Sequence, residues 1–161
     1  MIYIVVGQSG AGKTTFCKTN IIKPPYENHR DIVKITIGSN GVVGIGDYGI
    51  GRRCEGTDTL SYNSQSKIIE QIKKLVDNGK DVLIEGDRIT SRTVMESLKA
   101  LNVEKKMYLV TCKLETSLKR LRGAGSHITI PFVKTTKTKA KRLYMDYNRD
   151  FNGEIINTED I

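Results

Sequence analysis

Short apolar runs alternate with amphipathic stretches along the chain, a pattern typical of strands alternating with helices. Residues 2–6 are continuously apolar and mostly β-branched, as expected for a central parallel strand buried on both faces. The pattern predicts further strands over residues 31–37, 81–85, 106–112 and 154–156. It predicts helices over residues 13–20, 64–78, 91–101, 115–122 and 131–147. One α/β domain over residues 1–161 is therefore expected, with a mostly parallel sheet flanked by helices in three layers.

The segment from Gly38 to Gly56 interrupts this alternation. Seven of its nineteen residues are glycines, with a few apolar residues between them. Because a helix restricts the backbone freedom of every glycine it contains, no long helix is expected here. The segment predicts a short hairpin or a mobile loop.

Composition and charge narrow the class of protein. The three cysteines are widely spaced and match no zinc or redox motif. No apolar run approaches the roughly 18 residues that span a bilayer, and the apolar N-terminus resembles no signal peptide. We therefore expect a cytoplasmic protein that does not associate with a membrane, and we predict no protein partner. The net charge of +8 favours polyanionic partners such as nucleic acid or nucleotide phosphates, although many soluble proteins are basic.

The segment GQSGAGKT, residues 7–14, matches the phosphate-loop pattern GxxxxGK[ST] at every fixed position. The glycines allow successive backbone N–H groups to surround an anion, and the following helix adds its positive end. Lys13 is expected to reach the β- and γ-phosphates of ATP, and Thr14 to coordinate Mg²⁺. The sequence thus predicts a P-loop NTPase fold. The predicted nucleotide-binding residues of the loop are Gly7, Ser9, Gly10, Ala11, Gly12, Lys13, Thr14 and Thr15.

A phosphate loop alone does not distinguish a kinase from other NTPases. The NKxD motif, by which GTPases select guanine, is absent from the sequence. The form GxxGxGKTT at residues 7–15 resembles the loop of nucleotide and nucleoside kinases. That resemblance implies a second site facing the γ-phosphate, and hence an ATP-dependent phosphotransferase that uses Mg²⁺.

Two carboxylates and an arginine follow the predicted strand of residues 81–84. A parallel sheet presents the carboxyl ends of its strands to ligands, so either Glu85 or Asp87 could hold Mg²⁺ through water. Glu85 is favoured because it is the residue at the strand end. Asp87 and Arg88 resemble the acidic–arginine pair that thymidylate and deoxynucleoside kinases place beside the phosphoryl acceptor. Arg88 would stabilise charge on the transferring group, and Arg92 would reach the same pocket. The alternative is a strand-end salt bridge.

The most distinctive segment contains Arg52 and Arg53, followed by GTDTLS at residues 56–61. Together with the phosphate loop and the EGDR of residues 85–88, it resembles the bacteriophage P-loop DNA kinases. Those enzymes phosphorylate 5-hydroxymethyluracil in DNA, and the resemblance covers residues 1 to about 125. The resemblance implies that DNA is the substrate and that the protein acts in an infected host cell. It also implies contacts of Arg52 and Arg53 with DNA phosphates or the base, whereas a solvated charge pair is the alternative.

Two carboxylates are candidates for the general base that accepts the proton of the acceptor hydroxyl. Asp58 is favoured because it belongs to the GTD segment, and Asp47 is the alternative. A general base must lie within hydrogen-bond reach of that proton, which the sequence does not decide. An ordinary helix cap is the competing explanation for Asp58.

Residues 113–130 are predicted to form a lid. A leucine stripe on its helix leaves Arg120 and Arg122 toward solvent or nucleotide, as candidates to close on the ATP phosphates or to stack on adenine. Cations are also favoured near a helix C-terminus for reasons unrelated to ligand binding.

The last predicted helix places Lys134, Lys137 and Lys141 on one face. Such a face would bind the phosphates of a DNA backbone, or it would simply be exposed to solvent. The leading hypothesis is transfer of the ATP γ-phosphate to the hydroxymethyl group of 5-hydroxymethyluracil in phage DNA. One alternative is a kinase acting on a free nucleotide or nucleoside. Another is a nucleotide-dependent DNA-binding module without an acceptor pocket.

Overall fold

The computed structural model describes residues 1–51 and 54–159. The strands are β1 (Ile2–Gly7), β2 (Tyr26–Arg30), β3 (Lys34–Gly38), β4 (Val43–Ile45), β5 (Val82–Glu85), β6 (Lys105–Thr111) and β7 (Gly153–Asn157). The α-helices are α1 (Lys13–Asn20), α2 (Gln65–Asp77), α3 (Arg92–Lys99), α4 (Leu114–Gly123) and α5 (Ile130–Tyr147). Two short 3₁₀ helices lie at Thr57–Thr59 and Asp87–Ile89.

The seven strands form one sheet in the order β2-β3-β4-β5-β1-β6-β7. The five strands from β4 to β7 run parallel to one another, whereas β2 and β3 are antiparallel additions. The predicted α/β fold with a mostly parallel sheet is therefore confirmed. In the register of β1 and β5, Val5 lies opposite Glu85. This pairing places the start of the phosphate loop next to the end of β5.

Apolar side chains on the two faces of the sheet form two hydrophobic layers. Val5 and Leu83 belong to the layer that includes Phe16 of α1. Their neighbours Ile4 and Ile84 belong to the opposite layer, which includes residues of α2, α3 and α5. Side chains alternate between the faces of a strand, so one run of apolar residues supplies both layers. The phosphate loop is thus anchored in a strand that is buried on both sides.

The hairpin of β2 and β3 replaces the single strand predicted over residues 31–37. That prediction is wrong at its start, because residues 31–33 form the turn between the two strands. β2 was not predicted, since its sequence YENHR is polar and mostly exposed at the edge of the sheet. Within the glycine-rich segment, β4 pairs with β3 and runs parallel to β5.

Among the described residues, no helix has both the length and the apolarity needed to cross a membrane.

Candidate active site

The phosphate loop connects β1 to α1 and closes around the side chain of Lys13. Gly10 and Gly12 have φ angles of 77° and 89°, in the left-handed region that favours glycine. The Lys13 ammonium donates hydrogen bonds to the carbonyls of Gly7 and Gln8, each at 3.1 Å. The cation is therefore held at the centre of a backbone cradle suited to an anion.

Thr14 and Glu85 meet beside this cradle. The Thr14 hydroxyl donates to Glu85 Oε2 at 3.2 Å. Glu85 is only 1% exposed, and its Oε1 has no hydrogen-bond partner among the described residues. Burial raises the pKa of Glu85 to about 7, against the opposing effects of Lys13, Tyr48 and Thr14. A buried carboxylate oxygen without a partner, next to a hydroxyl and a phosphate loop, fits a hard divalent cation such as Mg²⁺.

No group of three or more His, Cys, Asp or Glu side chains within the described ranges could hold a metal ion without other ligands.

The 3₁₀ helix of residues 57–59 docks onto the end of β5. The Thr57 hydroxyl donates to the Glu85 carbonyl oxygen, and Asp58 Oδ1 accepts a hydrogen bond from the Asp87 N–H at 3.2 Å. Arg88 Nη1 lies 3.8 Å from Asp58 Oδ1. These contacts bring the GTD segment and the EGDR strand end together, although nearly thirty residues separate them.

The electrostatic surroundings of Asp58 increase its basicity. Burial raises the pKa of Asp58, and the neighbouring charge of Asp87 acts in the same direction, while Lys13 opposes both. The Asp58 carboxyl group lies close enough to Lys13 for the two charges to interact. These properties suit a general base beside the phosphate-binding loop.

Arg88 is fixed in place from two sides. Its guanidinium lies over the ring of Tyr62, 3.7 Å from the ring centre, and its Nε donates to the Leu60 carbonyl at 3.4 Å. Tyr62 itself is 81% exposed. An arginine fixed in this way presents its charge to the cleft without first having to be ordered.

A cleft of about 390 Å³ joins these groups. The predicted residues that line it are Ser9, Gly10, Gly12, Lys13, Thr14, Thr15, Asp58, Glu85, Asp87, Arg88 and Arg120. The other lining residues are Cys54, Glu55, Tyr62, Leu121, Ala124, Ile128 and Phe132. Of the predicted loop residues, only Gly7 and Ala11 do not line the cleft: Gly7 is the last residue of β1, and Ala11 is buried.

Other predicted residues are not brought to the cleft. Asp47 pairs with Lys34 of β3 at 3.0 Å, and the preceding Gly46 N–H donates to the Lys34 carbonyl at 2.8 Å. Arg92 is exposed and pairs with Asp146 of α5 at 3.2 Å. The exposed Arg122 does not line the cleft. The predicted Arg52 and Arg53 lie outside the described residues.

Arg120 lines the cleft and also forms hydrogen bonds with the phosphate loop and with Thr158. It donates to the carbonyls of Gly10 and Ala11 and to Thr158. On the far side of Gly12 it also lines a smaller, mainly apolar pocket of about 110 Å³. The other residues of that pocket are Gly12, Thr15, Phe16, Thr19, Asn20 and Thr158.

Among the residues of the site that were not predicted, three form polar contacts with other parts of the site. Gln8 is buried and donates to the Ser117 hydroxyl at 2.6 Å, but it occupies a variable position of the loop motif. Thr158 contacts the loop from the C-terminal end of the sheet, and no local pattern marks it. Glu55 pairs with Lys18 of α1 at 3.1 Å and lines the cleft. Glu55 lies in the sequence between the two arginines and the GTD segment, and this position could have marked it as a site residue.

No protein-family model and no curated protein matches the sequence. Two solved structures of deoxyadenosine kinase from M. mycoides are similar in fold. One has the products dCMP and a flexible dCDP bound; it is 11% identical, with a TM-score of 0.51 over 97% of this chain and 90% of that chain. The other has dATP bound; it is 12% identical, with a TM-score of 0.52 over 99% of this chain and 92% of that chain. The chain shares its fold with these two structures.

Proposed function

We propose that this chain is an ATP-dependent kinase that transfers the γ-phosphate to a free nucleoside or nucleotide. The observation that carries the proposal is that one cleft contains Lys13 and Thr14 together with Asp58 and Arg88. Groups suited to bind the donor and groups suited to activate the acceptor of a kinase would thus share one cleft. The fold shared with solved deoxyadenosine kinases supports a nucleoside or nucleotide as acceptor.

On the donor side, the triphosphate would lie in the backbone cradle around Lys13. The pocket of about 110 Å³ shares Gly12, Thr15 and Arg120 with the cleft, and its apolar lining suits the adenine base. Thr14 and Glu85 would hold Mg²⁺, which neutralises charge on the β- and γ-phosphates when bound. Lys13 would give up its bonds to the loop carbonyls and bind phosphate oxygens instead.

On the acceptor side, Asp58 would accept the proton of the attacking hydroxyl. Arg88 lies next to Asp58 and would stabilise the negative charge on the transferring phosphoryl group. Tyr62 and Phe132 give the cleft apolar walls on which a nucleobase can stack. Catalysis of this kind depends mainly on positioning and electrostatic stabilisation, which these fixed side chains provide.

A second candidate acceptor is 5-hydroxymethyluracil within DNA. One observation favours it: Lys134, Lys137 and Lys141 form an exposed basic face on α5. At about 100° per residue, however, Phe132 projects from nearly the opposite side of the helix, so this face does not continue the cleft wall. The free nucleoside or nucleotide is therefore the better supported acceptor.

Transfer of label from γ-labelled ATP tests these proposals. The acceptors are a panel of deoxynucleosides and deoxynucleotides, including hydroxymethyl-dUMP and dTMP, ordinary DNA, and DNA containing hydroxymethyluracil. Label in free nucleosides or nucleotides supports the main proposal, whereas label in the modified DNA alone supports the second. Absence of any transfer, with DNA binding that depends on ATP, would instead identify a nucleotide-dependent binding module. Lys13→Ala is the control and should abolish transfer.

A further inference from the structure

Two side chains outside the phosphate loop hold its carbonyl groups from the outer side. The Thr158 hydroxyl donates a hydrogen bond to the Ala11 carbonyl at 2.6 Å. Arg120 Nη1 donates to the same carbonyl at 3.3 Å and to the Gly10 carbonyl at 3.5 Å. The Ala11 carbonyl thus has two donors, from α4 and from the residue that follows β7.

These two donors are themselves joined. Arg120 Nη1 donates to the Thr158 hydroxyl at 3.0 Å, and Nη2 donates to the Thr158 carbonyl. The Thr158 N–H donates to the Thr111 carbonyl at 3.0 Å, at the end of β6. Thr158 is only 3% exposed, so water competes little for its hydrogen bonds. The network ties the phosphate loop to the rigid sheet and to α4.

Peptide geometry connects this network to phosphate binding. In a trans peptide the C=O and N–H groups point in opposite directions. Because the Ala11 carbonyl is held outward, the Gly12 N–H of the same peptide must point toward the inner side of the loop, where the Lys13 ammonium lies. A peptide held by two donors has little freedom to rotate, and a donor that is already oriented loses little entropy when an anion binds.

We propose that Thr158 and Arg120 are positioning residues, which fix the peptide between Ala11 and Gly12 so that its N–H faces the phosphates of ATP. The inference rests on the proposed function, because it assumes that the loop binds ATP. Arg120 then acts on the nucleotide through the loop backbone. Thr158, near the C-terminal end of the chain, becomes part of the donor site.

The test measures dissociation constants for ATP and for inorganic tripolyphosphate, which has the phosphates but neither base nor sugar. Thr158→Val keeps the side-chain shape and removes the hydroxyl. The loss of one buried hydrogen bond should weaken the binding of both ligands by the same factor, about five- to tenfold. Thr158→Ser keeps the hydroxyl and should restore both affinities. Thr138→Val removes an exposed hydroxyl of α5 and is the matched control with no expected effect.

Two results would overturn the inference. If Thr158→Val weakened ATP but not tripolyphosphate, Thr158 would act on the nucleoside part, through the pocket that it also lines. If neither affinity changed, the hydroxyl would have no role in orienting the loop. A wild-type protein that binds neither ligand would contradict the proposed function itself.

A second variant keeps the test decisive if Thr158→Val does not fold. Arg120→Lys retains the positive charge but loses the planar fork that reaches Gly10, Ala11 and Thr158 together. It should weaken ATP and tripolyphosphate equally, and unchanged affinities for both would overturn the inference. Thermal unfolding followed by circular dichroism establishes that each variant is folded.

Discussion

The two aspartates that are candidates for the general base, Asp58 and Asp47, lie in different surroundings. Asp58 lines the cleft within the electrostatic reach of Lys13, and its pKa is raised by burial and by Asp87. Asp47 forms an ion pair with Lys34 outside the cleft. The two aspartates were the candidates for the general base, and their surroundings now favour Asp58. They also provide a matched pair of substitutions.

Asp58→Asn should lower the rate constant of phosphoryl transfer about 100-fold, because an amide does not accept the proton of the hydroxyl. Asp47→Asn should transfer at close to the wild-type rate. Only the deprotonated carboxylate acts as base, so activity is lost as the pH falls through the pKa of Asp58. Since the pKa of Asp58 is raised, and that of the neighbouring Glu85 is raised to about 7, activity should be lost above the usual pH range of an aspartate. Only the part of that loss that is absent in Asp58→Asn belongs to Asp58. Initial rates measured across pH test this, and equal losses in the two variants would contradict the assignment.

Residue identity allowed part of the site to be predicted. The phosphate loop is a contiguous motif, so Lys13 and Thr14 could be identified from the sequence. Contacts between segments that are distant in the chain could not be predicted from the sequence. Gln8 meets Ser117 across 109 residues, and Thr158 meets Ala11 across 147 residues. Such pairs depend on the order of strands in the sheet, which the local pattern of apolar residues does not encode.

At the scale of elements, the glycine-rich segment connects the sheet to the acceptor side of the cleft. The three-residue strand β4 is too short for its pairing to be predicted from alternation. After β4 the chain folds back, and Asp47 forms a β-bridge with Gly56 just before the 3₁₀ helix that contains Asp58. A tight backbone approach at Gly46 makes this return possible.

Gly46 and Gly41 both have positive φ angles, of 97° and 80°, but differ in the space around them. A Cβ at Gly46 would lie 1.8 Å from the Gly56 carbonyl oxygen, whereas a Cβ at Gly41 would meet nothing within 4 Å. Gly41→Ala should cost about 1 kcal/mol of unfolding free energy from backbone strain alone. Gly46→Ala should cost about 2 kcal/mol more, because the clash adds to that strain. Chemical denaturation measures both, and similar losses would contradict the close approach.

At the scale of the whole molecule, the net charge of +8 is partly concentrated on α5. Asp146 is the only acidic residue of that helix, and it pairs with Arg92 of α3. In the described part of the chain, no carboxylate forms an ion pair with Lys134, Lys137 or Lys141. The fold was predictable from alternating strands and helices, but the position of this face relative to the cleft required the structure. A surface of this kind can bind a polyanion without taking part in phosphoryl transfer.

The triple substitution of Lys134, Lys137 and Lys141 by Gln separates polyanion binding from phosphoryl transfer. If α5 binds DNA, the slope of log affinity against log salt concentration should fall in magnitude by about 3, because three phosphate contacts no longer release counterions. Transfer to free nucleosides should be unchanged, since the face does not line the cleft. Substituting the exposed Lys67, Lys73 and Lys80 by Gln makes the same change in net charge elsewhere. Equal slopes in the two triple variants would show that net charge, and not a face of α5, attracts DNA. The basic composition would then give no support to DNA as the acceptor.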